Sequence, residues 1–187
     1  MRFHTKRRIA TAAWVIAAVS TAFNARATEV VDQENLPGAT LVYSNCGIGP
    51  GSISQGFTPT MSPLIAVEIM MPPSPPAGAL TVRIRQGGAD GPIVGETTAP
   101  NEAGWNRYDF AGGVVVLPEQ LYVIEVVDLF HPAAIVLNNA DTYAGGNAYG
   151  CTDNPVLIRD VVFRTYAATT LPTREATWGK VKALYRE

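Results

Sequence analysis

Residues 80–86 read LTVRIRQ, and the alternation in that stretch decides the fold. Leu80, Val82 and Ile84 point to one side of an extended chain, while Thr81, Arg83 and Arg85 point to the other. A period of two is what a half-buried strand requires, because successive side chains leave a pleated backbone on opposite faces. Apolar, β-branched stretches of the same kind recur along the chain: ATLVYSN at 39–45, LIAVEIMM at 64–71, PIVGETT at 92–98 and NRYDFAG at 106–112. VVVLP at 114–118, LYVIEVVD at 121–128, AAIVLNN at 133–139 and IRDVVFRTYA at 158–167 complete the set.

Turn chemistry separates these stretches. Pro72-Pro73-Ser74-Pro75-Pro76, Gly87-Gly88-Ala89-Asp90-Gly91-Pro92 and Asn101-Glu102-Ala103-Gly104 stand between them. Proline fixes φ and removes a donor, and glycine accepts φ > 0, so such clusters end strands and turn the chain. The prolines at 72–76 read as a stiff bridge from one sheet to another rather than a tight hairpin. Many short strands with little helical pattern predict an all-β domain, a two-sheet sandwich or barrel.

The two ends differ from this pattern. Arg2, Lys6, Arg7 and Arg8 precede an apolar run, Ile9 to Phe23, of fifteen residues without a charge, and Ala25-Arg26-Ala27 follows. A basic start, a short apolar run and a small–x–small site are the parts of a cleavable signal peptide over 1–27. A membrane span wants about 20 apolar residues, so this run is short for an anchor. At the other end, 168–187 reads as a linker and a helical tail. Trp178, Val181 and Tyr185 fall at i, i+3 and i+7, with Leu184 widening the stripe, although Gly179 weakens the helix. The sandwich is expected over 28–167.

Removing 1–27 takes five of the fourteen Lys+Arg and none of the sixteen Asp+Glu, so the remaining chain carries 9 − 16 = −7. Nucleic acid and anionic membrane surfaces call for basic patches, and this balance argues against both as partners. Secretion or a cell-surface location is the expectation. Cys46 and Cys151 both lie after the leader, and an even pair outside the cell is most simply one disulfide. Closing a loop of that length is worth about 4–5 kcal/mol in the chain-entropy picture.

The ordered set Gln55-Gly56-Phe57-Thr58-Pro59, LIAVEIMM, LTVRIRQ, LYVIEVV, Tyr143-Ala144-Gly145-Gly146-Asn147-Ala148-Tyr149 and DVVFRTY resembles bacterial secreted jelly-roll domains of the galactose-binding-like, carbohydrate-binding-module-like type. The likeness covers about residues 40–167. It implies a two-sheet jelly roll serving as an accessory, adhesion or surface module, usually without catalytic machinery. Many such domains carry a structural calcium ion, and some bind sugar through loops at one end. The chain departs from the pattern in lacking a tryptophan before the Tyr143–Tyr149 loop and in having Cys151 there. The tail ATWGKVKALYR also resembles a short C-terminal segment of assorted bacterial secreted proteins, which would suggest a docking or sorting element.

Chemistry can be screened residue by residue. His131 is the one histidine after the leader, and no serine sits in a G-x-S-x-G elbow, which leaves little for nucleophilic catalysis. Glu68, Glu125 and Asp160 are the acids to consider for a glycan-cleaving pair. For sugar binding, an aromatic platform with adjacent polar groups is needed. Trp105, Tyr143, Asn147 and Tyr149 are the candidates, with the glycine-flanked tyrosines and the Trp105 after Gly104 expected to be exposed. For calcium, oxygen ligands would come from Asp128, Asn139 and Asp141. Carbohydrate or another cell-surface component is the expected partner. A spacer docking through Trp178, Val181, Leu184 and Tyr185, and a small hydrolase, are the rivals.

The cysteine reading is testable at once. The exported chain should weigh two hydrogens less than its reduced form and should resist a thiol-alkylating reagent until it is reduced. Two freely alkylated thiols without reductant would exclude the bridge.

Overall fold

The computed structural model describes residues 28–44, 51–73, 75, 78–127, 134–150 and 159–169. Cys46, Cys151, Asp128, the leader and the tail with Trp178, Val181, Leu184 and Tyr185 lie outside the described residues. All regular structure among the described residues is β strand. In chain order these are β1 (Thr28–Asn35), β2 (Leu41–Ser44), β3 (Ile53–Phe57), β4 (Leu64–Met71), β5 (Ala79–Gln86) and β6 (Ile93–Pro100). They continue with β7 (Gly104–Val114), β8 (Tyr122–Val127), β9 (Ile135–Asn138), β10 (Ala148–Tyr149), β11 (Asp160–Val161) and β12 (Phe163–Thr169).

The strands form three antiparallel sheets, ordered β1-β12-β4-β7, β10-β3-β8-β5-β6 and β11-β9-β2. The first and third share a strand in effect. Val162, between β11 and β12, donates its N–H to Val136 O (3.1 Å) and accepts Met70 N–H at its carbonyl (3.0 Å). One continuous run, 160–169, therefore pairs first with β9 and then with β4. The proline-rich segment joins β4 in one sheet to β5 in another, the crossover its stiffness predicts.

One core lies between the sheets. Val67, Ile69, Tyr108 and Phe163 come from the four-stranded sheet, Phe57, Val82, Ile84, Ile124 and Val126 from the five-stranded one, and Ile135 and Leu137 from β9. Leu80, Val82 and Ile84 are buried while Thr81 and Arg83 are not, as the alternation requires. Full burial of each aliphatic or aromatic side chain is worth roughly 1.5–3 kcal/mol.

Three strands escape the sequence pattern, namely β1, β3 and β10, and most of 114–118 is irregular rather than a strand, only Val114 belonging to β7. β7 is also interrupted. Leu64 pairs Val114 and Ala66 pairs Asp109, so the ladder is broken over 110–113, with Phe110 still buried in the core and Gly112 and Gly113 at φ 79 and 74. Left-handed φ at two successive positions is cheap only for glycine.

The sheets meet closely where β6 faces β7. A Cβ on Gly95 would fall inside van der Waals contact with Val114 Cγ2 and near Phe110. Overpacking of this kind costs about 1–3 kcal/mol. Gly95→Ala should lower stability by that amount in urea unfolding, and adding Val114→Ala should recover part of it. An unchanged midpoint in Gly95→Ala would show that the two strands do not approach in solution.

Candidate functional site

The connection 139–149, which carries Tyr143, Asn147 and Tyr149, is built as a strap. Its anchor is Asp160, 1% exposed at the start of β11. Asp160 Oδ2 accepts the backbone N–H groups of Thr142 (2.6 Å) and Tyr143 (2.8 Å), and Oδ1 accepts Gln55 Nε2 (3.2 Å). Gln55 is 0% exposed on β3. Its Nε2 also donates to Gly56 O and Gly146 O, and its Oε1 accepts Val161 N–H at 2.8 Å. Around them, Asn138 Nδ2 donates to Asn35 Oδ1, Leu36 O and Thr142 Oγ1, while Asn138 Oδ1 accepts Gly38 N–H.

The glycines of the strap are required by close approach. A Cβ on Gly146 would overlap the backbone of Gly56, and one on Gly145 would overlap the Tyr143 ring. Gly56 N–H reaches Asn147 O at 2.7 Å and Thr58 Oγ1 reaches Gly145 O at 2.9 Å, so both sides of the crossing are bonded.

Tyr143 does not take the exposed position expected of it. It is 9% exposed, meets Phe163 edge-on at 5.0 Å between ring centroids, and donates its hydroxyl to Gln33 Oε1 at 2.9 Å. Burial pushes its hydroxyl up to about 12. A ring fixed this way plugs the core. Asn147 is exposed and contributes its carbonyl to the crossing, and Tyr149 is half-buried on the face opposite buried Ala148. Asn139 and Asp141 are exposed. Among the described residues no three His, Cys, Asp or Glu side chains gather as metal ligands. The inward oxygens nearby, those of Asp160 and Asn138, already face N–H donors, and Asp128, the third residue expected for calcium, lies outside the described residues.

Trp105 stands in strand β7 rather than in a loop. The turn before it is closed by Asn106, which accepts Glu102 N–H (2.7 Å) and donates to Glu102 O and Gly104 O. With Asn106 turned inward, Trp105 and Arg107 project from the outer face of the four-stranded sheet. Register then places Arg164, Glu68 and Arg107 in one row across β12, β4 and β7, with Tyr166, Ala66 and Asp109 in the next. The long side chains reach diagonally across β4. Arg164 lies over the Trp105 ring at 4.5 Å and Arg107 over the Tyr166 ring at 4.8 Å. Tyr166 donates to Glu68 Oε2 at 2.6 Å, Arg164 approaches Glu34 and Glu68, and Arg107 holds Glu29 through two bonds of 2.7 and 2.9 Å. Trp105 stays partly open to solvent at the edge of this array.

The three acids considered for hydrolysis are committed separately. Glu68 serves Tyr166 and Arg164 on the four-stranded sheet. Glu125 sits on β8 of the five-stranded sheet with Arg85 at 2.8 Å. Asp160 anchors the strap from β11. Neither the Arg-aromatic array nor the Gln55–Asp160 pair was recognised in the sequence, since both join residues far apart in the chain. A scan against protein-family models and a search of curated proteins found no match.

Burial dominates at Asp160 and raises it above the ordinary carboxylate value, against the hydrogen bonds that lower it. A raised native value means that its contribution to stability is full below about pH 4, the unfolded value, and is lost as pH rises through the native one. Asp160→Asn, which sets an amide N–H against Gln55 Nε2, should cost about 1–3 kcal/mol. The stability gap to the natural chain should be widest in acid and narrow as pH rises. A gap that widens with rising pH would mean that the hydrogen bonds outweigh burial.

Proposed function

We propose that the chain is an exported, non-catalytic binding module of jelly-roll type, with carbohydrate as its ligand and the outer face of the four-stranded sheet as its recognition surface. The observation that carries this is the part-exposed indole of Trp105 with the Arg164 guanidinium 4.5 Å above its ring. Sugar recognition needs an aromatic surface held still beside polar groups that orient hydroxyls. Arg164 stacks on Trp105 and is itself held by Glu34 and Glu68, and Arg107, Tyr166 and Asp109 continue the array along the same face. Little of this would have to be ordered on binding, so the entropic cost of recognition is small.

Antiparallel sheets around one core are what a galactose-binding-like jelly roll would contain, and the resemblance in the sequence supports that finer assignment. The separate commitments of Glu68, Glu125 and Asp160 support a binding rather than a hydrolytic role. Export rests on the leader, Arg2 to Ala27, in the sequence. Calcium has no part in the proposal.

A glycan-array screen of residues 28–187 tests it, with Trp105→Ala and Tyr149→Ala as comparators. Trp105→Ala should reduce binding tenfold or more, about 1.4 kcal/mol, with the unfolding midpoint close to that of the natural chain. Tyr149→Ala should leave binding unchanged. Binding that survives Trp105→Ala would move the site elsewhere, and an array without a single bound glycan would remove carbohydrate from the proposal.

A further inference from the structure

β1 and β6 are both eight-residue strands at a sheet edge, and they meet solvent in different ways. β1 carries Glu29, Asp32 and Glu34 and a break in register between Val31 and Gln33. Charges and bulges of this kind keep an edge from pairing with another chain. β6, IVGETTAP, has a single charge, Glu96, and Arg83 on the neighbouring β5 already pairs with it. Its one irregularity falls at Val94, between the pairs Ile84–Gly95 and Arg85–Ile93, so 95–99 is regular strand. Among the described residues, β5 is the one strand paired with β6.

The register shows which backbone groups of β6 turn away from β5. Asn101 N–H donates to Gly78 O at 2.9 Å, and the pairing stays in step from there to Ile84–Gly95. Bonded and non-bonded pairs alternate along an antiparallel ladder. Ala99, Thr97 and Gly95 therefore bond to β5, while Glu96, Thr98 and Pro100 turn their backbone groups outward. Pro100 suits that position, because a proline in a strand belongs where its missing donor faces away from the ladder. Glu96 and Thr98 are both exposed.

This edge is complementary to itself. Two copies of β6 laid antiparallel about Thr97 set Glu96 of each opposite Thr98 of the other. The outward N–H and C=O groups of those residues then meet in four backbone hydrogen bonds. Centring on Glu96 would set two carboxylates face to face, and centring on Thr98 would set Glu96 against Pro100, which has no donor. On the outer face, the Thr81–Thr98 hydroxyl pair (2.9 Å) of one copy would run on to the Glu96–Arg83 ion pair of the other. Threonine pairs and satisfied charges across a join are stabilising. The two Glu96 side chains stand on a diagonal, about 7–8 Å apart, each beside its own Arg83.

We propose that β6 is a dimerisation edge: a second copy of this chain pairs with it antiparallel about Thr97, joining two five-stranded sheets into one. The interface is isologous, so it closes on itself and does not propagate into a filament. The inference is independent of any ligand on the four-stranded sheet.

Sedimentation of residues 28–187 over a range of concentrations tests it, at about 0.15 M salt, where repulsion between two acidic chains is screened beyond about 8 Å. A monomer–dimer equilibrium is expected. Thr98→Glu, which sets like charges opposite each other, should abolish the dimer, and Thr98→Lys, which sets lysine opposite Glu96, should tighten it severalfold. Both side chains point to solvent, so the unfolding midpoint of the monomer should stay close to that of the natural chain. The amides of Glu96 and Thr98 should exchange more slowly as concentration rises, while those of Thr97 and Ala99, already bonded to β5, should be slow throughout. A monomer at every concentration would overturn the proposal, as would a dimer that responds alike to Thr98→Glu and Thr98→Lys.

Discussion

The buried carboxylate of Asp160 and the buried amide of Gln55 are what the rest of the molecule is arranged around. A polar group taken out of water costs free energy unless its hydrogen bonds are remade inside. Here they are remade only when β3, β11 and the 139–149 connection are all in place, because each supplies donors or acceptors to the other two. The network is therefore a device of specificity as well as of stability. Moving any one segment leaves the others with unpaired buried atoms, and networks of this kind are all or none. The same constraint explains why the last strand can serve two sheets. Val161 and Val162 keep their backbone bonds on either side of the change in partner.

The outer faces follow a different logic. Every cation among the described residues is an arginine, and four of the five, Arg83, Arg85, Arg107 and Arg164, form ion pairs across strands. A planar guanidinium can hold a carboxylate with its edge and lie flat on a ring with its face, which a lysine ammonium cannot do. On the four-stranded sheet both capacities are used at once by Arg107 and Arg164. Individual surface pairs of this sort contribute little to stability. Their effect is to restrict where Trp105 and Tyr166 can point.

The legible part of this fold was the part that local pattern encodes. In β5 the buried and open positions alternate without exception from Leu80 to Arg85, because one face meets the core and the other meets solvent. β1, TEVVDQEN, has no such alternation, being an edge strand whose place is set by β12 and by Asp32 bonding to Thr60. β3, ISQGF, is buried throughout, and its Gln55 and Gly56 interrupt the apolar pattern of a buried strand, their partners lying ninety residues onward. At the candidate site the glycines misled for a physical reason. Gly145 and Gly146 suggested an open loop around Tyr143, yet glycine serves close packing as readily as freedom, and here the missing Cβ atoms make room for the Tyr143 ring and for Gly56. Trp105 was legible as an aromatic candidate, but its setting was not, since Arg164 reaches it from a strand nearly sixty residues away.

These two halves of the structure limit where recognition can occur. A ligand entering the 139–149 strap would have to displace bonds to Asp160 and Gln55 and expose groups that only the protein satisfies, so any affinity gained there would be offset by the loss of the network. The sheet face carries no such penalty. Its arginines and rings are tied to each other by side-chain contacts, above strands whose pairing from Ile69 to Ala66 does not depend on them. Adding a ligand there exchanges water for contact without opening the fold. The rigid strap and the decorated face are thus complementary: the first removes the connection from the list of adaptable surfaces, and the second offers a surface whose rings are already oriented before anything binds.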